Sequence, residues 1–241
     1  MKWTIRGVVA AVLVLMMCAV CVRLGFWQLD RLEQRRARNA AVRAAQAQRP
    51  VALDAATFAA ASANPEGFEW RPVEAAGTFH HAGDLLLRGR GREGRPGVHL
   101  VSPLVLADGR VVMVNRGWVP AADAATANTD AYRTAGPVRV AGVLRPMEVS
   151  EDGGMPAAGR ADGDSTWRRI DLGAARARSP GAVLPLYLQR LPASRDPPSP
   201  PLPEPLPELS QGNHLSYAVQ WFSFALIGVV GLVILVRKRK R

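Results

Sequence analysis

Cysteine and lysine are scarce in this chain of 241 residues. The two cysteines, Cys18 and Cys21, form a Cys-x-x-Cys pair inside a hydrophobic run, where neither an exposed redox thiolate nor an accessible copper pair is expected. We therefore interpret them as small apolar residues of a membrane helix. Since the rest of the chain has no cysteine, we expect it to fold without disulfide bonds.

Sequence patterns of the common enzyme classes are also absent. We find no nucleophile elbow, phosphate-binding loop or zinc-ligand spacing. The stretch 89–94 formally matches the glycine pattern of dinucleotide-binding loops, but it opens no predicted helix and lies in an arginine-rich turn. His80, His81 and His99 have no carboxylate or cysteine at metal-ligand spacing, and we expect them to be surface or partly buried side chains. The sequence therefore indicates no catalytic constellation.

Charged residues are nearly absent from two runs long enough to cross a membrane, 7–27 and 214–236. Arg23 interrupts the first run, but an arginine near a helix end can extend to the membrane surface, a boundary that Trp27 also suits. A cleaved signal peptide is the alternative for the first run, because residues 1–6 are basic. No Ala-x-Ala cleavage site follows, and we therefore expect an uncleaved anchor.

The net charge of +11 is concentrated at the membrane flanks. The stretch 24–213 has 23 cations and all 20 acids, a net charge of only +3, so we expect no nucleic-acid partner. The basic run 237–241 predicts a cytoplasmic C-terminus, and two spans then place the tail 1–6 on the same side. We therefore expect membrane lipid around both helices and a periplasmic domain over 28–213.

The region between the spans is predicted to be mainly β. Helix formers without Gly or Pro extend the first helix to residue 48, and Pro50 ends it. Short apolar segments separated by turn residues then predict seven strands: 70–79, 84–90, 98–106, 110–119, 138–145, 166–171 and 184–191. The predicted fold class is a membrane protein with two transmembrane helices that flank a mainly-β domain. Its core, at about 68–192, is an antiparallel barrel or sandwich.

Two segments of this domain have an unusual composition. The insert 148–165 is rich in Gly, Asp and Ala and is predicted to be a mobile loop. The segment 196–209 has seven prolines and is predicted to be an extended, semi-rigid linker to the second span. Because we place this segment outside the cytoplasm, we favour a spacer over a ligand for proline-binding domains.

One candidate functional motif lies at the end of the predicted strand 110–119. It reads Asn115-Arg116-Gly117-Trp118 and is followed by Val and Pro. A strand-end bulge that packs the large tryptophan explains this pattern. A binding role for Arg116 and Trp118 explains it equally well, and the residues alone do not decide between the two.

The start of the second span indicates a functional site more strongly than the motif at 115–118 does. His214, Tyr217 and Trp221 share one helix face. Tyr217 and Trp221 also suit an aromatic belt at the membrane surface, but such a belt does not require a histidine. An imidazole beside aromatic rings is suited to be an axial ligand of haem. If the two spans are neighbours, Trp27 and Arg31 lie at the same membrane boundary, where arginine can pair with haem propionates.

Three motifs follow one another in a recognisable order: 25–31 (Gly-Phe-Trp-Gln-Leu-Asp-Arg), 108–109 (Asp-Gly) leading to 114–120 (Val-Asn-Arg-Gly-Trp-Val-Pro), and 213–218 (Asn-His-Leu-Ser-Tyr-Ala) with Trp-Phe at 221–222. With the two-span layout, they resemble the surfeit locus protein 1 family, assembly factors for haem–copper cytochrome oxidases. The resemblance covers essentially the full length. Because the tail 1–6 is too short for a mitochondrial transit peptide, we expect a bacterial inner-membrane member.

The resemblance implies a non-enzymatic helper that binds haem a and aids its placement in the catalytic subunit of cytochrome c oxidase, or stabilises that subunit. His214 is then the iron ligand, among Tyr217, Trp221, Trp27 and Arg31. The implied partners are the catalytic subunit and haem A synthase. The remaining motif residues are expected to bind a partner or to be structural: Gly25, Gln28, Asn115, Arg116, Gly117, Trp118 and Asn213.

An alternative function remains open at this point. A two-span scaffold or sensor, whose periplasmic β domain binds a protein or small ligand without haem, has the same layout. His214 is then merely an interfacial residue. An enzyme is the third choice, because no nucleophile, base or metal constellation supports one.

Overall fold

The computed structural model describes residues 5–148, 166–194 and 199–238. Most of the insert predicted at 148–165 lies outside the described residues, as do 1–4, 195–198 and 239–241. In chain order the elements are α1 (Ile5–Gln46), β1 (Val51–Ala52), α2 (Ala55–Ala63), α3 (Pro65–Phe68), β2 (Pro72–Phe79), β3 (Leu85–Leu87), β4 (Gly97–Leu106), β5 (Val111–Pro120), β6 (Pro137–Pro146), β7 (Thr166–Trp167), α4 (Leu172–Ala177), β8 (Val183–Arg190) and α5 (His214–Lys238). They form two compact units: Met1–Arg43 with Glu208–Arg241, and Ala44–Pro207.

The first unit contains the two long apolar helices, α1 and α5, each long and apolar enough to cross a membrane. Helix α1 has 42 residues, which makes it about 60 Å long, roughly twice the thickness of a bilayer's hydrocarbon core. It therefore continues beyond the membrane, as predicted, and ends four residues before Pro50. Helix α5 has 25 residues and ends in Arg237 and Lys238.

Helices α1 and α5 pack through small residues. Cys18, Cys21 and Gly25 are buried on α1, and Ala218 and Ala225 are buried on α5. Their spacing of three, four and seven residues places each set on one helix face. Small side chains allow two helix backbones to approach closely within a membrane. The cysteines are free thiols buried in this packing, consistent with their interpretation as small apolar residues.

The second unit is a closed β-barrel. The ladder runs β2–β6–β8–β5–β4, and β4 pairs back to β2, which closes a five-stranded ring. Strand β1 adds to β2, while β3 and β7 extend the sheet beyond β4. Most pairs are antiparallel, but β1–β2, β3–β7 and β5–β8 are parallel. The predicted fold class is confirmed, with these three parallel pairings in addition.

The two largest hydrophobic cores of this unit lie against this sheet. The larger is lined by aliphatic side chains from alternate positions of five strands, including Leu104, Val114, Leu144 and Leu188, all fully buried. The second core contains Trp167 and is partly formed by α4. Alternation along each strand separates the two cores, because successive side chains point to opposite faces of a sheet.

Some elements differ from the sequence prediction. The strand predicted at 84–90 is reduced to β3, and that at 166–171 ends at Trp167. Asp171 instead caps α4, where its Oδ1 accepts a hydrogen bond from Ala174 N at 2.9 Å. Helices α2 and α3 were not predicted; Asp54 caps α2 by accepting from Thr57 N at 2.8 Å.

The spacer interpretation of the proline-rich segment is corrected for residues 201–204. Leu202 forms an antiparallel bridge with Trp118 of β5, and Pro203 is buried. The second unit, which contains the β-barrel, extends to Pro207. Residues 201–204 are therefore bound to the β-barrel rather than forming a free linker.

Candidate functional site

His214 is the first residue of α5, and its side chain meets α1. Its Nδ1 lies 2.9 Å from Oε1 of Gln28. Gln28 continues the α1 face of Cys21 and Gly25, which explains why it points to α5. An amide oxygen only accepts, so we assign the proton to Nδ1 of the imidazole. Within the described residues no hydrogen bond reaches Nε2, and that nitrogen keeps its lone pair.

The chain before His214 is fixed on α1 by three polar side chains. Asn39 Nδ2 donates to the carbonyl oxygens of Leu209 (3.2 Å) and Ser210 (3.0 Å). Arg35 Nε also donates to Ser210 O, at 3.3 Å. These contacts, with that of Arg36 Nε to Gln211 Oε1 at 2.9 Å, order the backbone that leads into the helix. They limit the positions available to the imidazole.

The two residues before His214, Gly212 and Asn213, determine the backbone conformation where α5 begins. Asn213 holds the N-cap position, where its carbonyl oxygen accepts from Tyr217 N at 3.1 Å and from Ser216 Oγ at 2.8 Å. Gly212 has a φ of +69°, and a Cβ there would lie 3.6 Å from His214 Nε2. The positive φ therefore explains glycine at 212, since a Cβ there would only make an ordinary van der Waals contact with the imidazole.

The aromatic residues predicted for the site have different environments. Tyr217 is 50% exposed and Trp27 is 41% exposed. The Arg31 guanidinium lies 5.5 Å from the centre of the Trp27 ring, a cation–π distance, and donates to Gln34. Trp221 is half-buried against Cys18, Cys21 and Ala225.

The structure thus brings some predicted site residues together and leaves others apart. His214 meets Gln28, which the resemblance had placed only in a motif, and Arg31 meets Trp27. Among the described residues, no hydrogen bond or ring contact joins Trp27 or Arg31 to the aromatic side chains of α5. Trp27 precedes Gln28 by one residue and lies about 100° around the helix from it.

Gly25 leaves room on α1 for the ring of Phe222 from α5. A Cβ at this position would lie 2.6 Å from Cε1 of Phe222, closer than side-chain carbons approach. The Phe222 ring also packs edge-on against Phe26, with 5.4 Å between ring centres. The glycine and phenylalanine of two separate motifs therefore fit each other, about two helical turns along α5 from His214.

The motif 115–118 forms a β-bulge in the barrel. Leu100 of β4 pairs with Gly117, and the next residue, Val101, pairs with Asn115. Arg116 is therefore the extra residue of β5. Trp118 is 1% exposed, and its Nε1 donates to Arg90 O at 2.9 Å. The bulge interpretation is confirmed, while a binding role for this motif stays a prediction.

Arg116 is buried inside the second unit. Its Nη2 donates to Tyr132 O at 2.6 Å and to Thr134 Oγ1 at 3.0 Å. Its guanidinium lies 4.7 Å from the centre of the Phe79 ring. Burial lowers the pKa of Arg116, and the negative charge of Asp84 opposes this effect. The arginine therefore ties a loop to β2, a structural role.

His99 contacts a carboxylate that sequence spacing did not reveal. The imidazole is buried, with 5% exposed, and its Nε2 lies 2.9 Å from Glu204 Oε1. The pKa of Glu204 is lowered by His99 first, then by the charges of Arg90 and Arg92, while burial opposes them. His99 is more buried than predicted, whereas His80 and His81 are half-buried, as expected.

The part of the chain that the structure describes contains no group of three or more His, Cys, Asp or Glu side chains suited to a metal ion. The His214 region is therefore the candidate site with the most specific chemistry. It combines an imidazole nitrogen with a free lone pair, exposed aromatic rings and arginine at one end of a helix pair.

Comparison with known proteins agrees with the motifs. The model of the SURF1 family matches residues 15–226. A SURF1-like protein from Monosiga brevicollis is 30% identical over 229 residues, which cover 89% of this chain and 83% of that protein. Uncharacterized SURF1-like proteins from Mycobacterium bovis and Mycobacterium tuberculosis are 28% identical over 206 residues, covering 86% of this chain and 74% of theirs. The chain therefore belongs to the SURF1 family, whose members are known as cytochrome oxidase assembly factors.

Proposed function

We propose that this protein binds haem a at the membrane boundary, with His214 as a ligand of the iron. It then aids placement of the haem in the catalytic subunit of cytochrome c oxidase, or stabilises that subunit. The observation that carries this proposal is the 2.9 Å hydrogen bond between His214 Nδ1 and Gln28 Oε1. Metal-binding imidazoles are commonly oriented by a hydrogen bond to their second nitrogen, which fixes the tautomer and leaves the other nitrogen for the metal.

The residues around His214 fit a flat, apolar macrocycle with acidic side groups. When bound, haem a supplies an iron atom that accepts an imidazole nitrogen. Tyr217 and Trp27 have ring surface exposed for apolar contact. Arg31 holds a guanidinium beside Trp27, and this group suits pairing with a carboxylate. The supporting contacts of Asn39 and Arg35 hold the entry to α5 in place before any ligand arrives.

We propose the following topology for this function. Both helices span the bacterial inner membrane, both termini are cytoplasmic, and the β-barrel is periplasmic. The two candidate spans and the cationic end of α5 at Arg237 and Lys238 support this orientation. The proposed partners are the catalytic subunit and haem A synthase. Membrane lipid surrounds the exposed apolar side chains of both helices.

A complementation experiment tests the role in oxidase assembly. The gene is deleted, and the strain is complemented with the parent protein, with His214→Ala or with His80→Ala. His80 is a matched control, because this half-buried histidine lies in the β-barrel unit. We expect the parent and His80→Ala to restore haem a content and oxidase activity in membranes, and His214→Ala to restore less than half. Full activity in the deletion strain, or full rescue by His214→Ala, contradicts the proposal.

A further inference from the structure

The end of β5 binds residues of the proline-rich segment as an added strand. Trp118 N donates to Leu202 O at 2.7 Å, and Leu202 N donates to Trp118 O at 2.8 Å. Gly117 has a φ of +124°, and a Cβ there would overlap the Leu202 carbonyl. Glycine is thus required both by the backbone conformation and by the close approach of the segment. Arg92 holds Pro203, the residue after Leu202: its Nη1 donates to Pro203 O at 3.3 Å.

Hydrogen bonds of Asn115 orient the His99 imidazole that contacts Glu204, the residue after Pro203. Gly117 N donates to Asn115 Oδ1 at 3.2 Å, which turns Asn115 Nδ2 to His99 Nδ1, at 3.2 Å. Since Nδ1 then accepts, the proton of a neutral imidazole lies on Nε2. That nitrogen is 2.9 Å from Glu204 Oε1. The motif therefore presents a buried donor to a carboxylate two residues after the bridging leucine.

We refer to the residues that make these contacts as the Leu-Pro-Glu receptor: Arg92, His99, Asn115, Gly117 and Trp118. Each contact recognises a different part of the bound sequence. The leucine supplies one amide and one carbonyl, the proline one carbonyl, and the glutamate its carboxylate. Backbone pairing supplies affinity in strand addition, and the side-chain contact supplies register.

The bound sequence occurs twice in immediate succession. Residues 201–204 and 205–208 both read Pro-Leu-Pro-Glu. The second copy is more exposed: Glu208 is exposed, whereas Glu204 is partly buried. No backbone hydrogen bond of Leu206 N is found within the described residues. Every group that the receptor contacts in the first copy is therefore present, and available, in the second.

We propose that the Leu-Pro-Glu receptor is a peptide-binding site that accepts either copy, so that the segment before α5 is held in one of two registers. Identical sequences in tandem specify register weakly, because both alignments satisfy the same contacts. The structure shows the first register, with Leu202 on Trp118. In the second register Leu206 lies on Trp118, and Glu208 takes the place of Glu204 beside His99.

The two registers leave different lengths of chain before the second helix. In the first, residues 205–208 separate the bound copy from Leu209, whose carbonyl accepts from Asn39. In the second, the bound copy directly precedes Leu209. Four residues of extended polyproline chain span about 12 Å. The two registers therefore differ by four residues in the length of chain left between the bound copy and Leu209, and this proposal does not depend on haem binding.

Amide hydrogen exchange of the full chain in detergent tests the two registers. Prolines leave only Leu202, Glu204, Leu206 and Glu208 with amides in 201–208, so single-amide resolution is attainable. In the parent we expect protection at both Leu202 and Leu206, shared between the registers. Glu204→Ala should reduce protection at Leu202 and raise it at Leu206 by about tenfold, because it removes the carboxylate that contacts His99 Nε2 in the first register. The matched variant Glu208→Ala should do the opposite.

A second variant makes the test independent of the carboxylate. Leu202→Pro removes the amide donor of the first copy, so only the second copy can complete the backbone pair. We expect Leu206 to gain at least about tenfold protection in this variant, while the Trp118 amide stays protected. A Leu206 amide that exchanges freely in Leu202→Pro overturns the proposal. Loss of protection at both leucines in Glu204→Ala, with none gained at Leu206, overturns it equally.

Discussion

Gln28 and His214 lie 186 positions apart in the chain, yet Gln28 Oε1 and His214 Nδ1 are 2.9 Å apart. This hydrogen bond joins the motif that follows the first span to the motif that begins the second. A single glutamine on the buried face of α1 thus determines which imidazole nitrogen is protonated. The two motifs are therefore in direct contact in the folded protein.

Substitution of Gln28 is expected to weaken haem binding without removing the iron ligand. Gln28→Leu removes the acceptor, so the Nδ1–H tautomer and the ring orientation of His214 lose their support. Loss of such a supporting hydrogen bond lowers metal affinity by about tenfold or more. Titration of the purified protein with haem measures the effect. Gln28→Glu, which keeps an acceptor, should bind more tightly than Gln28→Leu; equal affinities of the parent and Gln28→Leu would count against this role.

The fit between Gly25 and Phe222 gives a stability prediction. Gly25→Val places a side chain where Cε1 of Phe222 lies, and overpacking of this kind costs about 1–3 kcal/mol. Phe222→Ala in the same chain should recover part of that loss. Gly231→Val is the control, because a Cβ at Gly231 has no atom within 4 Å. Unfolding in detergent measures all four proteins. A Gly25→Val protein as stable as Gly231→Val would refute the close packing.

Gly117→Ala is expected to lower stability more than Gly109→Ala, although both glycines have positive φ. Gly117 and Gly109 both have positive φ, at +124° and +82°, but a Cβ at Gly109 meets nothing within 4 Å. Gly109→Ala therefore reports backbone strain alone, about 1 kcal/mol or more. Gly117→Ala adds the overlap with the Leu202 carbonyl and should release residues 201–204. Denaturant unfolding and exchange of the Leu202 amide measure this; equal losses in the two variants would argue against the strand addition.

The contact between His99 and Glu204 predicts a dependence on pH. Contact with His99 lowers the folded-state pKa of Glu204 below its ordinary value of 4.5, with help from Arg90 and Arg92. A lowered pKa gives stability that is fully present above pH 4.5 and is lost as the pH falls through the folded-state value. Unfolding of the parent and of Glu204→Gln should therefore differ at neutral pH and converge in acid. A difference that stays constant from about pH 7 to about pH 3 would contradict this coupling.

Local patterns predicted most of the architecture. The two apolar runs, nearly free of charge, predicted both helices, and the turn residues between 98–106 and 110–119 separated the strands that became β4 and β5. Short elements were harder, because α2 and α4 are each started by one capping aspartate, Asp54 or Asp171. A single cap is a weak signal until tertiary contacts select it.

Long-range pairing accounts for the parts that sequence reasoning missed. The parallel pair β5–β8 requires knowledge of how the barrel closes. Proline content led to a spacer prediction for 196–209, although Leu202 pairs with Trp118 through two backbone hydrogen bonds. His99 was judged by sequence neighbours, whereas its carboxylate partner, Glu204, arrives from the far end of the domain. Likewise, the α1 face toward α5 is that of Gln28 rather than Trp27, which only helix packing determines.

The central claim is that His214 ligates haem a, and an absorption spectrum tests it most directly. The protein is purified in detergent from cells that make haem A, beside His214→Ala and the control His80→Ala. We predict a bound-haem absorption band in the parent and in His80→Ala, and its loss or a clear shift in His214→Ala, because the axial nitrogen is removed. A parent protein without haem, or an unchanged spectrum in His214→Ala, would contradict the account.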